Sequence, residues 1–243
     1  MKKLFMVLAV LGFMCISAQY AVAQSASDLT SQVEEPIHQQ LKTKFIEGGP
    51  EFMAAILLCL IIGLALAIER IIYLSLASTN TKKLLDSVEK ALKEKGVEGA
   101  KDVCRNTKGP VASIFYQGLL HMDEGIEVVE KSITSYGSVQ MSQLEKGLSW
   151  IQLFIAVAPM LGFLGTVVGM VVAFDAIAKA GDISPNIVAD GMKIALITTV
   201  GGLIVAIILQ FFYNYLLSKI DSIVIQMEDA SISMVDILVK SQK

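Results

Sequence analysis

Three threonines, Thr166, Thr198 and Thr199, lie within two long stretches that contain no acidic or basic residue. A threonine hydroxyl cannot store and release a proton near neutral pH, but it can hydrogen-bond a titratable group on another chain, or water beside that group. One hypothesis is therefore that these hydroxyls form a polar ring along an internal cavity. The alternative is that each hydroxyl only donates to the carbonyl four residues earlier in its own helix.

No titratable side chain lies deep in either stretch. Asp175 directly follows the first one and is expected to be an interfacial carboxylate at the outer surface. An ion pathway made by this chain alone would need an acid or a base in mid-membrane. The sequence therefore argues against a self-sufficient pump or antiporter.

Enzyme and metal chemistry find no support in the sequence. There is no phosphate-binding loop, no serine-hydrolase elbow and no zinc-protease motif, so we assign no catalytic residue. The three cysteines and two histidines show no metal-ligand spacing, and we expect neither a metal nor a cofactor. The net charge is −3 and no basic stripe is interleaved with aromatics, so we do not expect nucleic-acid binding.

The composition indicates a membrane protein. Of the 243 residues, 54% are hydrophobic and 18% are charged, whereas soluble domains average roughly 45–50% and about 25%. The mean hydropathy is +0.62. The apolar excess is concentrated in four charge-free segments, 4–27, 52–68, 147–174 and 194–218.

The first charge-free segment has the parts of an export signal: a basic start at Lys2 and Lys3, a short apolar run, and an Ala-Val-Ala site ending at Ala23. We interpret 1–23 as a signal peptide, and the alternative is a retained extra membrane helix. Residues 24–50 are polar, with apolar positions four residues apart. We expect them to form a periplasmic amphipathic segment at the membrane surface, or else a loose tail.

The other three segments predict transmembrane helices in contact with lipid, because a span needs about 20 apolar residues. The fold class that follows is an all-α polytopic membrane protein with three transmembrane helices extended into a cytoplasmic helical bundle. Pro159 is expected to kink the second helix. The predicted segments are a first span at 51–76, a water-facing helical domain at 77–147, a second span at 148–174, a loop at 175–192, a third span at 193–217 and a tail at 218–243.

The water-facing domain shows amphipathic helical patterns over 82–95 and 125–144, separated by glycine-containing breaks. It carries equal numbers of basic and acidic residues, whereas the loop at 175–192 has few basic ones. The positive-inside tendency places this domain in the cytoplasm, and an export signal would place residues 24–50 outside. Both arguments give a periplasmic N-terminus and a cytoplasmic C-terminus.

Small residues recur along one narrow stripe of each of the last two spans. Lipid provides no hydrophobic force between helices, and small residues allow close backbone approach. Both stripes are therefore expected to face protein, either a neighbouring helix or a central partner. The residues assigned to helix packing are Gly162, Gly165, Gly169, Ala195, Gly202 and Ala206.

The second and third spans carry a family resemblance. The residues at 158–170, APMLGFLGTVVGM, resemble the second-span signature of the ExbB/TolQ family of proton channels, which is related to the flagellar stator protein MotA. Those at 191–207, GMKIALITTVGGLIVAI, together with FYNY at 212–215, are similar to its third span. Glu69 and Arg70 after the first span are similar too, and the resemblance covers roughly 50–240.

The resemblance implies a subunit of an inner-membrane motor. Family members form a homo-pentamer around a dimer of a single-span ExbD or TolR partner, whose membrane helix carries an aspartate. Proton flow then drives motion that a TonB-like or TolA-like periplasmic protein passes to the outer membrane. The resemblance places Thr166 and Thr199 where the family's threonines line the ring near that aspartate. We expect an ExbB-type role in TonB-dependent transport; the alternatives are a TolQ-type role in envelope integrity and division, or a non-conducting scaffold.

The chain departs from the family pattern in three places. Many relatives carry a glutamate where Ile194 stands here, next to Lys193, so the proton chemistry is expected to rest on the partner. Relatives also often show Ile-Pro-Ala where this chain has Ile-Ile-Leu at 207–209, which is expected to alter how the third helix bends. The signal-peptide-like start distinguishes it from members with shorter N-termini.

Overall fold

The computed structural model describes residues 37–180 and 185–241, and every regular element in this part of the chain is helical. The all-α fold class is therefore confirmed. A 3₁₀ turn, Met122–Glu124, precedes the fifth helix. The α-helices in chain order are α1 (Ile37–Glu47), α2 (Pro50–Ala77), α3 (Thr81–Asn106), α4 (Pro110–Leu120), α5 (Ile126–Glu145), α6 (Leu148–Ala180) and α7 (Pro185–Ser241).

Three of these helices, α2, α6 and α7, are long and apolar enough to cross a membrane. Even the shortest, α2, has 28 residues, which is roughly 42 Å of helix against a hydrocarbon core of about 30 Å. The most apolar stretches have mean hydropathies of 2.6, 2.2 and 2.4. Large apolar side chains such as Leu58, Phe163 and Leu196 are more than half exposed. The protein is a membrane protein with three candidate spans.

The three spans pack on one another through a small apolar core. This core consists of Ile56, Cys59, Ala158, Val205 and Leu209. Leu209 of α7 reaches the backbone of α2, because a β-carbon built at Gly63 would lie 2.7 Å from its terminal carbons. The helix α2 therefore rests directly against the pair formed by α6 and α7.

A larger core joins α3, α4 and α5 to parts of α2, α6 and α7 in a bundle at one end of the spans. Its centre is α4, in which Phe115 and Ile114 are almost fully buried. The last part of α7 contributes a buried stripe that includes Ile220, Met227 and Met234. Because α7 runs unbroken from Pro185 to Ser241, the predicted third span and the described part of the predicted tail, 218–241, are one helix.

Two glycines with positive φ shape the joints of this bundle. Gly147 (φ +89°) separates α5 from α6, and the guanidinium Nε of Arg70 lies 3.0 Å from where a β-carbon on that glycine would stand. Gly96 (φ +69°, ψ −164°) interrupts α3. Both angles are favourable for glycine and costly for residues that carry a side chain.

Several sequence predictions fall beyond these helices. The predicted signal peptide at 1–23 lies outside the described residues, as do 24–36 of the amphipathic segment. Of the predicted loop at 175–192, residues 181–184 are also outside the described part. The structure shows α6 continuing to Ala180 and α7 beginning at Pro185. Pro159 lies inside α6, and its kink stays a prediction.

Candidate functional site

The helices α6 and α7 touch backbone to backbone. A β-carbon built at Gly202 would lie 2.5 Å from the carbonyl oxygen of Ala158, and one built at Gly162 would lie 2.9 Å from that of Thr198. Both glycines are buried. Any side chain at these positions would therefore have to push the two helices apart.

The small-residue stripes predicted on the two spans lie against each other within this one chain. Across from Gly165 stands Thr198, whose hydroxyl oxygen would be 2.8 Å from a β-carbon on that glycine. Ala195 lies opposite Gly169, and its β-carbon would be 3.4 Å from a β-carbon built on that glycine. Ala206, the last residue assigned to the α7 stripe, is only half-buried. The stripes thus pack α6 against α7 within a single chain.

The close approach brings two threonine hydroxyls into contact. Thr166 of α6 and Thr199 of α7 hydrogen-bond to each other through their Oγ1 atoms. Thr166 also lies within donating distance of two carbonyls, Gly162 in its own helix and Ala195 across the interface, both at 3.2 Å. The hydroxyl of Thr199 in α7 donates across the interface to the carbonyl oxygen of Gly162 in α6, at 3.3 Å.

Of the two interpretations left open by the sequence, the structure shows the contact within one helix for Thr166, and the polar ring along an internal cavity stays a prediction. Thr166 does contact the carbonyl four residues earlier, as hydroxyls in membrane helices commonly do. It also joins a polar cluster of two hydroxyls and two carbonyls that spans both helices. Thr166 and Thr199 are only half-buried, so the cluster reaches the surface of the chain.

Thr198 takes a different position from the other two threonines. Its side chain is fully buried and lies between the helices opposite Gly165. Its hydroxyl donates to the carbonyl of Ala195 at 2.8 Å, with a longer contact to Ile194 at 3.3 Å. The residue predicted alongside Thr199 thus points into the helix pair and has no exposed surface.

No acidic or basic side chain forms part of the described hydroxyl cluster. The charge-free segments 147–174 and 194–218 surround it, and Asp175 is exposed beyond the end of the first. Among the residues that the structure describes, no group of three or more His, Cys, Asp or Glu could hold a metal ion. The cluster can therefore donate and accept hydrogen bonds but cannot itself titrate near neutral pH.

An ion pair that the sequence did not reveal lies at the start of the third span. Lys193 Nζ donates to Glu47 Oε1 at 2.8 Å, joining the end of α1 to α7 across 146 positions. Ile194, the site of the departure from the family pattern, is the next residue, and it lies 3.8 Å from where a β-carbon on Gly49 would be. The only sequence signal was that Lys193 borders the apolar segment 194–218 and that Glu47 lies shortly before the first span.

At the other end of the spans, Glu69 and Arg70 form an ion pair within α2. Arg70 Nε lies 3.3 Å from Glu69 Oε2, and its guanidinium sits 5.2 Å from the ring centre of Tyr73. The Arg70 side chain is 12% exposed and covers the backbone at Gly147. It therefore ties the end of α2 to the joint between α5 and α6.

Residues 106–229 match the sequence profile of the MotA/TolQ/ExbB proton channel family. This stretch contains α4, α5, α6 and the part of α7 that carries Thr198 and Thr199. The match therefore includes the whole interface between α6 and α7 from Ala158 to Gly202.

Curated relatives carry the same family name. A biopolymer transport protein ExbB homolog of Methanothermobacter thermautotrophicus is 34% identical over 66% of this chain and 57% of its own length. Biopolymer transport protein exbB1 of Vibrio cholerae is 41% identical over 28% of this chain and 30% of its own length. Biopolymer transport protein ExbB of Aquifex aeolicus is 36% identical over 46% of this chain and 80% of its own length. The chain thus spans little more than half of the first relative and under a third of the second.

Proposed function

This chain belongs to the MotA/TolQ/ExbB proton channel family, and we propose that it is the ring-forming subunit of a motor driven by the proton-motive force. In this proposal, copies of the chain form a pentamer around a single-span partner of the ExbD or TolR type. The partner carries an aspartate in its membrane helix. Proton flow at their interface energises TonB-dependent transport across an outer membrane.

The observation that carries this proposal is the hydroxyl pair of Thr166 and Thr199. It is polar, half-buried and surrounded by spans that contain no acid or base. A carboxylate brought by a partner would find a hydrogen-bonding surface there and would stay out of contact with lipid, where an unpaired charge is costly. The chain supplies hydroxyls and the partner supplies the group that binds and releases the proton.

The names of the relatives favour the ExbB-type role over the TolQ-type role, because the curated relatives described above are named ExbB or exbB1. Membership in a family of proton channels also agrees with the absence of enzyme motifs in the sequence. We place the protein in the inner membrane of a bacterium, with residues 24–50 in the periplasm. The equal and abundant charges of the region between the first two spans support a cytoplasmic location for that region.

The test replaces both hydroxyls by methyl groups of similar size, as Thr166→Val together with Thr199→Val. We expect TonB-dependent uptake to be lost in cells that carry this variant, while native mass spectrometry still detects the ring with its co-expressed single-span partner. Unchanged uptake with an intact ring would instead favour the non-conducting scaffold. A chain that stays monomeric and ignores the single-span protein would contradict the motor altogether.

A further inference from the structure

Thr198 stands apart from the other residues of the α6–α7 interface. It is the one polar side chain that is fully buried among the described residues. Its hydroxyl donates to the Ala195 carbonyl at 2.8 Å, the shortest distance from any of the three hydroxyls to a carbonyl in this cluster. Its methyl group packs on Gly165, 3.1 Å from where a β-carbon would be. The hydroxyl of Thr198 therefore contacts the Ala195 carbonyl and its methyl group contacts Gly165. Separate substitutions can remove either contact.

The Ala195 carbonyl is the acceptor that connects Thr198 to the hydroxyl pair. In an α-helix this carbonyl already accepts the backbone N–H of residue 199, which leaves one lone pair. Two hydroxyls compete for that lone pair: Thr198 at 2.8 Å and Thr166 at 3.2 Å. The shorter contact from Thr198 occupies it. Thr166 is then left with its other two partners, Thr199 and the carbonyl of Gly162.

We propose that Thr198 is a positioning residue, which occupies the Ala195 carbonyl and so leaves the Gly162 carbonyl as the shared acceptor of Thr166 and Thr199. This inference rests on the proposed function. Thr166 and Thr199 lie 3.2 Å and 3.3 Å from the Gly162 carbonyl oxygen. Either hydroxyl can therefore donate to the other while the second donates to that carbonyl. The two arrangements are equivalent in geometry, so the pair is reversible.

A reversible pair suits a carboxyl group that gains and loses a proton. An ionised carboxylate only accepts hydrogen bonds, whereas the protonated form also donates one. A pair of hydroxyls that can reorient its protons can hydrogen-bond to the ionised carboxylate and to the protonated carboxyl group. With Thr198 in place, the two hydroxyls share one carbonyl, that of Gly162, so one hydroxyl proton can turn towards the partner's carboxylate. Without the Thr198 hydroxyl, Thr166 would donate to the freed Ala195 carbonyl while Thr199 donates to the Gly162 carbonyl, and both protons would stay within the chain. The pair would then offer the partner a lone pair and no proton, which disfavours the ionised carboxylate.

The variants Thr198→Val and Thr198→Ser separate this role from a packing role. Valine keeps the shape of the side chain and removes its hydroxyl, while serine keeps the hydroxyl and removes the methyl group on Gly165. The measurement is proton uptake into proteoliposomes that contain the full chain with its co-purified single-span partner, recorded as a function of pH. Thermal unfolding of the same preparations reports on packing.

We expect T198V to shift the midpoint of the flux–pH curve by about one pH unit towards higher pH. This shift corresponds to the loss of one hydrogen bond to a charged group. T198S should keep the midpoint of the unchanged protein even where its melting temperature falls. A midpoint that stays the same in T198V, or one that shifts equally in both variants, would overturn the positioning role.

The same preparations distinguish this failure from failure of the proposed function. If T166V/T199V abolishes proton uptake and T198V leaves the pH curve unchanged, the hydroxyl pair acts without help from Thr198. If T166V/T199V retains full uptake, the proposed proton pathway is wrong, and the positioning role falls with it.

Discussion

The side-chain hydroxyls of Thr166 and Thr199 hydrogen-bond to each other across two helices, although the residues are 33 positions apart. The contact exists because glycines on both helices remove the side chains that would otherwise hold the backbones apart. The carbonyl of Gly162 lies within reach of both hydroxyls. The close helix packing and the polar cluster therefore depend on each other, and a substitution that disrupts one should also disrupt the other.

Gly202→Ala should separate the helices, because its β-carbon would stand 2.5 Å from the Ala158 carbonyl oxygen, a backbone atom. We expect the free energy of unfolding to fall by about 1–3 kcal/mol, as for other overpacked sites, and proton uptake to fall with it. Thermal unfolding in detergent measures the first effect. Gly201→Ala is the matched control, since it meets only the flexible end of Met53 at 3.2–3.3 Å. Equal losses in both variants would argue against a specific backbone contact.

Gly147→Ala should destabilise the joint between α5 and α6. The backbone there has φ +89°, and the new methyl group would press on Arg70 Nε at 3.0 Å. We expect a loss of more than about 1 kcal/mol, because the native angle is unsuited to alanine. Gly137→Ala provides the comparison: it lies in α5 with its nearest neighbour 4.0 Å away, and alanine should stabilise the helix there by about 0.5–1 kcal/mol. The prediction fails if the two variants melt alike.

The sequence revealed the spans and the small-residue stripes because both are periodic patterns within one helix. Hydropathy marked α2, α6 and α7, and spacing placed Gly162 and Gly202 on narrow stripes. The contact between the two stripes depends on the rotation and register of α6 against α7. A periodic pattern within one helix does not predict either of these. The burial of Thr198 beside the half-exposed Thr199 is a consequence of that rotation.

Two structural features, the helix α4 and one ion pair, could not be predicted from the sequence for physical reasons. The helix α4 (Pro110–Leu120) carries no charged residue, and its polar side is limited to Ser113, Tyr116 and Gln117, so it lacks the charged face that marked α3 and α5 in the sequence. Its start at Gly109-Pro110 was interpreted only as a break. The pair of Glu47 and Lys193 joins residues 146 positions apart. Each charge alone has the ordinary appearance of an interfacial residue.

The ion pair of Glu47 and Lys193 can be examined by exchanging its charges. Glu47→Lys or Lys193→Glu alone should lower stability by about 0.5–1 kcal/mol, since the two side chains are 28% and 50% exposed and are screened by solvent. The double variant should recover most of that loss. Melting temperatures at low and high salt measure the coupling. Additive losses in the double variant would show that the contact does not stabilise the protein.

Cys104 should make folding sensitive to alkaline pH. Burial raises the pKa of its thiol from 9.0 to about 12. A thiol whose pKa is raised in the folded state stabilises that state below pH 9 and loses this contribution as the pH rises from 9 to 12. In a Cys15→Ala, Cys59→Ala background, we expect unfolding to become easier across this range, with slow labelling by a maleimide at pH 8. Adding Cys104→Ala should make this pH dependence shallower; an unchanged alkaline profile would contradict the assignment.

Proton uptake into proteoliposomes is the most direct measurement of the central claim, that the hydroxyls of Thr166 and Thr199 form the chain's side of a proton pathway. The full chain is reconstituted with its co-purified single-span partner, and a pH gradient is imposed. We predict uptake by the unchanged complex and at least a tenfold reduction, about 1.4 kcal/mol, in T166V/T199V of equal assembly. Equal uptake by both complexes would contradict the account.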